Sequence, residues 1–279
     1  MPEIYAINLD RRPDRWASIE ERLGKIRLTA HRISAIDARQ TCDSLLDARF
    51  VRTGPLGQLG KGDMACTLSH LKAMEAFIRG KAEHALILED DVRVAFDLAE
   101  MLADTSWIPS DAELIKLESY VTRNLVVLLG RVHGKTSRGR LLQPLLSRHT
   151  GAAAYLISRS GAKKILAFAH RCLTVPIDHL LFNPNVSQMA VKLRPLQMRP
   201  APALQIRGKF GTDIGALRRE VRPTGFRYWR RESIRGYYEV RRLPSQIAAA
   251  TFRGARLHQV PWADGFGVKD ALAGKGDGL

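Results

Sequence analysis

Glu89-Asp90-Asp91 sets three carboxylates in succession at the end of an apolar run, Leu86-Ile87-Leu88, and Val92 resumes apolar character behind them. Like charges so placed repel one another, and the cluster is unfavourable unless water or a cation relieves it. A solvated acidic turn is one outcome, since carboxylates mostly lie exposed. The other outcome is chemical. Ligands of α/β sheets bind beyond the carboxyl ends of the strands. A hard divalent cation held there by carboxylate oxygens could clamp a diphosphate. Side chains alternate along an extended segment, so Glu89 and Asp91 should share one side and Asp90 should face the other.

The elements that must position this cluster follow from periodicity and punctuation. Residues 3–9 have the Ile- and Leu-rich character of a buried strand. Asp10 and Pro13 then signal a helix start, with Trp16, Ile19 and Leu23 at helical spacing before Gly24. Residues 28–36 are strand-like, and 52–62, with four glycines and a proline, predict a loop. A helix is expected over 68–79, with Leu71, Met74 and Ile78 on its inner face, and 84–89 is the strand that feeds the acidic cluster. A helix over 98–102 and a strand over 113–118 follow. Residues 125–132 and 140–146 predict a β-hairpin across a Gly134 to Gly139 turn. Residues 152–157 form a further strand, and Ser158 opens a helix carrying Ala162, Ile165, Leu166 and Ala169. Such alternation implies an α/β fold with a largely parallel sheet. After Pro200 short elements rich in Arg, aromatics, Gly and Pro are expected.

The chain has 279 residues, of which 45% are hydrophobic and 26% charged, enough for one domain with a substantial core plus an extension. We divide it into a catalytic domain, 1–215, and a basic, aromatic-rich C-terminal extension, 216–279. No uninterrupted apolar run approaches a membrane-spanning length. The opening residues lack the basic and apolar regions of an export signal, so none is expected. Cys42, Cys66 and Cys172 are odd in number, widely spaced and without a CxxC pair, which argues against a disulfide framework or a zinc knuckle. A reducing cytoplasm is the expected location. The net charge is +16, and between Lys192 and Arg256 sixteen basic residues face four acidic ones. Charge so concentrated implies an anionic partner.

Five blocks carry a resemblance. They are Ile7-Asn8-Leu9-Asp10-Arg11-Arg12-Pro13-Asp14-Arg15, Cys66-Thr67-Leu68-Ser69-His70, Leu88-Glu89-Asp90-Asp91-Val92, Gly151-Ala152-Ala153-Ala154-Tyr155 with the following Ser158 to Lys164, and Pro176-Ile177-Asp178-His179. In this order they resemble glycosyltransferase family 25, which includes bacterial lipooligosaccharide galactosyltransferases and the procollagen galactosyltransferases. The resemblance implies a GT-A-like (Rossmann-like) α/β fold, with a mixed, mainly parallel sheet flanked by helices. It also implies a UDP-hexose donor, a glycolipid or glycan acceptor such as a lipopolysaccharide core, Mn²⁺ (or Mg²⁺), and inversion at the anomeric carbon. The metal would act as a Lewis acid on the departing nucleoside diphosphate.

On that resemblance Asp91 is expected as a direct metal ligand, with Glu89 second. Glu89 stands where the family's DxD-like motif begins with Asp. Asp90 would hold the ribose or a metal-bound water. Asp178 is the candidate base for the acceptor hydroxyl; it could also cap the following 180–182 segment or complete the metal site, and His179 could coordinate or merely flank. Asn8, Asp10, Arg11 and Arg15 sit where such folds seat the nucleotide, and a guanidinium there can pair with phosphate or stack on uracil. Solvated charge at a helix start is the alternative for Arg11 and Arg12. His70 would contact the donor as a neutral hydrogen-bonding group or serve structure alone. Gly151 allows close backbone approach, for a sugar or for strand packing, and Tyr155 is expected in the core. Gln205, Thr212 and Asp213 resemble elements that close family catalytic domains.

In the tail, Phe226-Arg227-Tyr228-Trp229-Arg230-Arg231 and Arg235-Gly236-Tyr237-Tyr238-Glu239-Val240-Arg241-Arg242 interleave cations with aromatics. This pattern suits peripheral attachment to the anionic inner-membrane surface, or equally a solvated helical face. Nucleic acid is not expected as a partner, because no nucleic-acid-binding motif is present and such a partner would leave the carboxylate triplet unexplained. A non-catalytic basic binding module retaining the fold is the alternative reading.

Overall fold

Strand alternation, with apolar side chains on both faces, builds the layers of this molecule. The computed structural model describes residues 1–119, 126–206, 225–266 and 268–272. The first half contains β1 (Glu3–Asn8), α1 (Pro13–Lys25), β2 (His31–Ser34), α2 (Asp43–Asp47), β3 (Thr53–Gly54), β4 (Gly57–Gln58), α3 (Lys61–Arg79), β5 (His84–Glu89), β6 (Val92–Val94), α4 (Leu98–Ala103), β7 (Leu114–Lys116) and β8 (Glu118–Ser119). The second half contains β9 (Val126–Leu129), β10 (Gly134–Lys135), β11 (Leu141–Pro144), β12 (Ala154–Ser158), α5 (Arg159–Ala169), α6 (Ile177–Phe182), α7 (Gln188–Leu193), β13 (Leu196–Arg199), β14 (Ala203–Gln205), α8 (Gly225–Phe252), β15 (Arg256–Gln259) and α9 (Val268–Leu272).

Eight strands form the main sheet in the order β10-β11-β13-β7-β12-β5-β1-β2. Strands β2, β1 and β5 pair in parallel, as do β7 and β13. Between these groups β12 runs antiparallel to both β5 and β7, and β10, β11 and β13 are joined by antiparallel pairings. Tyr5 and Ile7 of β1 pack on one side with Leu71, Met74 and Phe77 of α3 and Ile165 of α5. Ile4 packs on the other side with Ile19 and Leu23 of α1 and Met101 of α4. In β5, Ile87 joins the first cluster, and Leu86 and Leu88 join the second. Helices therefore cover both faces of the sheet, an α/β architecture as expected and consistent with a Rossmann-like, GT-A-like fold. The sheet is, however, evenly mixed rather than mainly parallel, with three parallel and four antiparallel pairings.

Two local expectations are corrected, and a third is extended. Helix α3 begins at Lys61, about two turns before position 68. Its first turn includes Gly62, which is buried there and so does not mark a loop. The expected antiparallel approach of 125–132 and 140–146 is present: Leu129 bridges Leu145, the N–H of Gly130 donates to the carbonyl of Pro144 (2.8 Å), and the N–H of Leu146 donates to that of Leu128 (2.9 Å). In addition, β9 pairs along its length with β15 from the C-terminal region, and β11 pairs with β10 and β13. The residues after Pro200 are not only short elements, because α8 runs through 28 residues. Residues 207–224, with Thr212 and Asp213, lie outside the described residues.

The C-terminal region is sewn to the body. Besides the β9–β15 pairing, Arg140 is fully buried and donates to both carboxylate oxygens of Asp97 (2.6 and 2.8 Å) and to the carbonyl of Ala263 (2.9 Å). Among the described residues, no helix is long and apolar enough to cross a membrane.

His149, 1% exposed, sits with Nδ1 2.8 Å from Gln197 Oε1. Burial, and then the charge of Lys116, pushes its pKa down to about 3. The unfolded chain gains this proton at its ordinary value near 6.5, while the folded chain holds it off until about 3. Over that window the unfolded state binds more protons, so this residue makes stability rise with pH. His149→Gln should flatten the dependence by up to about 1.4 kcal/mol per pH unit, measured by urea unfolding at several pH values within it.

Candidate active site

The register of β1 against β5 builds the site, because Ile7 stands opposite Glu89 and so Asn8 comes up beside Asp90. Asn8 Nδ2 donates to Asp90 Oδ2 (2.7 Å), and Arg15 donates to Asp90 Oδ1 (3.3 Å). Arg32 donates to Asn8 Oδ1 at 2.6 and 3.0 Å, which turns the amide nitrogen toward Asp90. Glu89 and Asp91 point the other way. There Gln205 Nε2 lies 3.3 Å from Glu89 Oε2 and 3.3 Å from each Asp91 oxygen. The triplet is thus divided between two sets of partners as its sequence implies, although β5 ends at Glu89 and both Asp90 and Asp91 lie in the turn that follows.

That division sets the electrostatics. Burial, then the charges of Glu89 and Asp90, push the pKa of Asp91 up to about 7. Asp90 is also raised, chiefly by burial, with Asn8 and Arg15 opposing. The carboxylate oxygens of Glu89 and Asp91 converge where the Gln205 amide already supplies partial positive charge. Rotating that amide would add its oxygen to the set. An all-oxygen donor group around crowded acids fits a hard divalent cation such as Mn²⁺ or Mg²⁺.

A cleft of about 720 Å³ opens over this point. Arg11, Arg15, His70, Glu89, Asp90, Asp91, Gly151 and Asp178 all line it, and so do Gln205 and His179. Asn8 and Asp10 fall outside its wall, although the sequence suggests donor contact for both. Asn8 is buried against Asp90, and Asp10 is turned aside to Arg32 (3.1 Å) and Ser34 (2.5 Å). Arg11 is paired with Asp37 at 2.6 Å, and both border the cleft. Asp178 lies in the first turn of α6, whose N-cap position is taken by Pro176. Its oxygens accept from the backbone N–H of His179 (2.8 Å) and of Gly151 (3.3 Å). His179 Nδ1 is 2.7 Å from Asn183 Nδ2. His70 is fully buried apart from its cleft edge, with Nδ1 2.9 Å from the Tyr155 hydroxyl and Nε2 3.4 Å from Glu89 Oε1.

Two residues under the opposite wall were not singled out in the sequence. Lys116, with no exposure, hydrogen-bonds Glu118 and the carbonyl of Gly151, and its Nζ stands 4.2 Å from the Phe182 ring centroid. Glu118 in turn accepts from the N–H of Ala153 at 2.9 Å. Burial pushes the Lys116 pKa down and the Glu118 pKa up, each countered by the other's charge. Gly151 has φ +92°, and a Cβ there would fall 2.5 Å from Glu118 Oε1, so both conformation and space require glycine. The available signal was two opposite charges, two residues apart, in an otherwise apolar strand.

Comparison with known proteins places these residues in a context. A family model described as glycosyltransferase family 25 (LPS biosynthesis protein) matches residues 1–181. A putative glycosyltransferase of Haemophilus influenzae is 25% identical over 208 residues, covering 72% of this chain and 69% of that protein. The lipooligosaccharide biosynthesis protein lic2B of Haemophilus influenzae is 25% identical over 192 residues, 64% of this chain and 69% of that protein. A rat protein named probable inactive glycosyltransferase 25 family member 3 is 26% identical over 194 residues, 64% of this chain but only 32% of its own length. The chain therefore spans about a third of that animal relative. The matched span holds the acidic triplet, Asp178 and the Lys116–Glu118 pair.

Removing one member of a buried ion pair leaves the other uncompensated. Glu118→Gln should cost about 3–5 kcal/mol of stability. The double change Lys116→Met with Glu118→Leu should recover most of that loss, because no isolated charge remains buried. Urea unfolding of the three proteins reads both effects.

Proposed function

This chain belongs to glycosyltransferase family 25, and on that footing we propose that it transfers a hexose, galactose foremost, from a UDP-sugar to a lipopolysaccharide core or related glycan, with inversion. The observation that carries the reading is the convergence of Glu89, Asp91 and Asp178 on one cleft beside the guanidinium groups of Arg11 and Arg15. Asp91 and Glu89 would hold Mn²⁺ (or Mg²⁺), with Gln205 as an additional donor. When bound, that ion supplies positive charge for the leaving diphosphate.

The remaining work falls to the chain. Arg15 is held toward the cleft by Asp90 and Arg11 by Asp37, so both guanidinium groups are aimed before a phosphate or a uracil arrives. Asp178 takes the proton of the acceptor hydroxyl. The backbone N–H groups of Gly151 and His179 hold that carboxylate in place at the cleft. Gly151, at the cleft wall, presents its N–H to Asp178 and its carbonyl to Lys116.

The anionic inner-membrane surface is the proposed platform, with a cytoplasmic location. Helix α8 exposes Phe226, Trp229, Tyr237, Val240, Leu243 and Ile247. These recur largely at three- and four-residue spacing and so form one stripe, with Arg230 and Arg241 exposed on the same helix. Its other side meets the body through Arg242 to the carbonyl of Pro184 (3.0 Å) and Glu239 to Arg148 (3.3 Å). An apolar stripe with basic residues beside it is the form of an interfacial helix. A non-catalytic binding module would use the same stripe, so activity separates the two readings.

Screening UDP-, GDP- and CMP-sugars should find hydrolysis of a UDP-hexose that requires Mn²⁺ or Mg²⁺. Asp91→Asn should lower that rate by at least about a hundredfold with the unfolding transition retained; unchanged turnover would remove the metal assignment. Binding to anionic vesicles should weaken with added salt. It should also fall in a Phe226→Ser/Trp229→Ser protein, as measured by co-sedimentation, and equal binding would rule out the platform.

A further inference from the structure

A donor set of different chemistry stands beside the crowded acids. Cys66 and His70 lie one helical turn apart on α3, so both point the same way. They meet Glu89 at the end of β5. His70 Nε2 is 3.4 Å and Cys66 Sγ 4.0 Å from the same oxygen, Oε1, and the three donor atoms all lie within 4.8 Å of one another. Tetrahedral ligands at about 2.0–2.3 Å from Zn²⁺ stand roughly 3.4–3.7 Å apart. The two distances to Glu89 Oε1 lie at or just beyond that range, and the whole trio would have to contract by no more than about 1 Å.

The surroundings are those of a ligating histidine. Its far nitrogen, Nδ1, is 2.9 Å from the hydroxyl of Tyr155, which is itself fully buried. A partner on the far nitrogen fixes ring orientation, the usual support for a metal-bound imidazole. With Nε2 on a cation, the ring proton would reside on Nδ1, facing the Tyr155 oxygen. Cys66 and Glu89 are partly exposed where the trio borders the cleft, which leaves a fourth position for water or a bound group.

We propose that Cys66, His70 and Glu89 form a three-ligand site for a thiophilic divalent cation of the Zn²⁺ class. Thiolate and imidazole suit Zn²⁺ and its spectroscopic substitute Co²⁺, whereas Mn²⁺ and Mg²⁺ prefer oxygen. The site is distinct from the oxygen set on Asp91 and shares only Glu89 with it. Glu89 presents Oε1 to Cys66 and His70 and Oε2 to Gln205, so a single carboxylate can serve both positions. The inference goes beyond transferase chemistry and does not require it.

Cys66 is one of three cysteines, and replacing the other two, Cys42→Ser and Cys172→Ser, isolates its thiol. Titrating that protein with Co²⁺ under reducing conditions should give stoichiometric binding with a thiolate-to-cobalt charge-transfer band and the intense visible bands of four-coordinate Co²⁺. Adding Cys66→Ser should abolish the charge-transfer band. Tyr155→Phe should weaken Zn²⁺ binding, read by competition with a chromophoric chelator, by roughly ten- to a hundredfold. Asp91→Asn should keep the band. Cobalt binding without the band, or a band that survives Cys66→Ser, overturns the proposal. A band in a protein that hydrolyses no UDP-sugar would leave this site standing and remove the transferase reading, while metal-dependent hydrolysis without the band would do the reverse.

Discussion

The register between two parallel strands governs the site. With Ile7 opposite Glu89, the end of β1 delivers Asn8 to Asp90 and the start of α1 delivers Arg15 to the same carboxylate. One acid of the triplet is thereby neutralised inside the protein. The other two are left together, with the Gln205 amide between them. A slip of one residue would exchange those roles, because every side chain of a strand would change face. The raised pKa of Asp91 is the electrostatic record of that arrangement.

The opposite wall depends on an antiparallel neighbour. β12 runs between β5 and β7, and the residues leading into it touch both sides. The carbonyl of Ala153 accepts from the N–H of Glu89 at 2.8 Å, and the N–H of Ala153 donates to Glu118. Gly151 connects Lys116, through its carbonyl, to Asp178, through its N–H. A short stretch of backbone therefore couples the acidic side of the cleft to Asp178, and the buried Lys116–Glu118 pair stabilises the conformation of that stretch.

Much of this was readable from residues alone, for definite reasons. The apolar run into Glu89, the proline at the start of α1 and the spacing of Leu71 and Met74 are local signals, and the strands and helices they imply are present. The expected separation of Asp90 from Glu89 and Asp91 is present in their partners, although a turn and not a continuing strand produces it. What was missed depends on distant partners. β9 finds β15 across more than a hundred intervening residues, and no hairpin signal reveals that. Asn8 reads as a ligand-binding polar residue until Asp90 is known to be beside it. Lys116 and Glu118 read as ordinary charges because burial cannot be inferred from two residues. Cys66 and His70 have helical spacing in the sequence, yet only the fold brings Glu89 to them. The length of α8 was obscured by Gly236 and Pro244, both of which the helix accommodates.

Arg235, in the middle of α8, borders the cleft, while aromatic and aliphatic side chains of the same helix project outward. One rod therefore carries a piece of the mouth and the outer ridge together. Any surface on which that ridge rests lies at a set height from the opening. The rim at Arg235 and the outer ridge are thus one element, and a displacement of the helix would move both together.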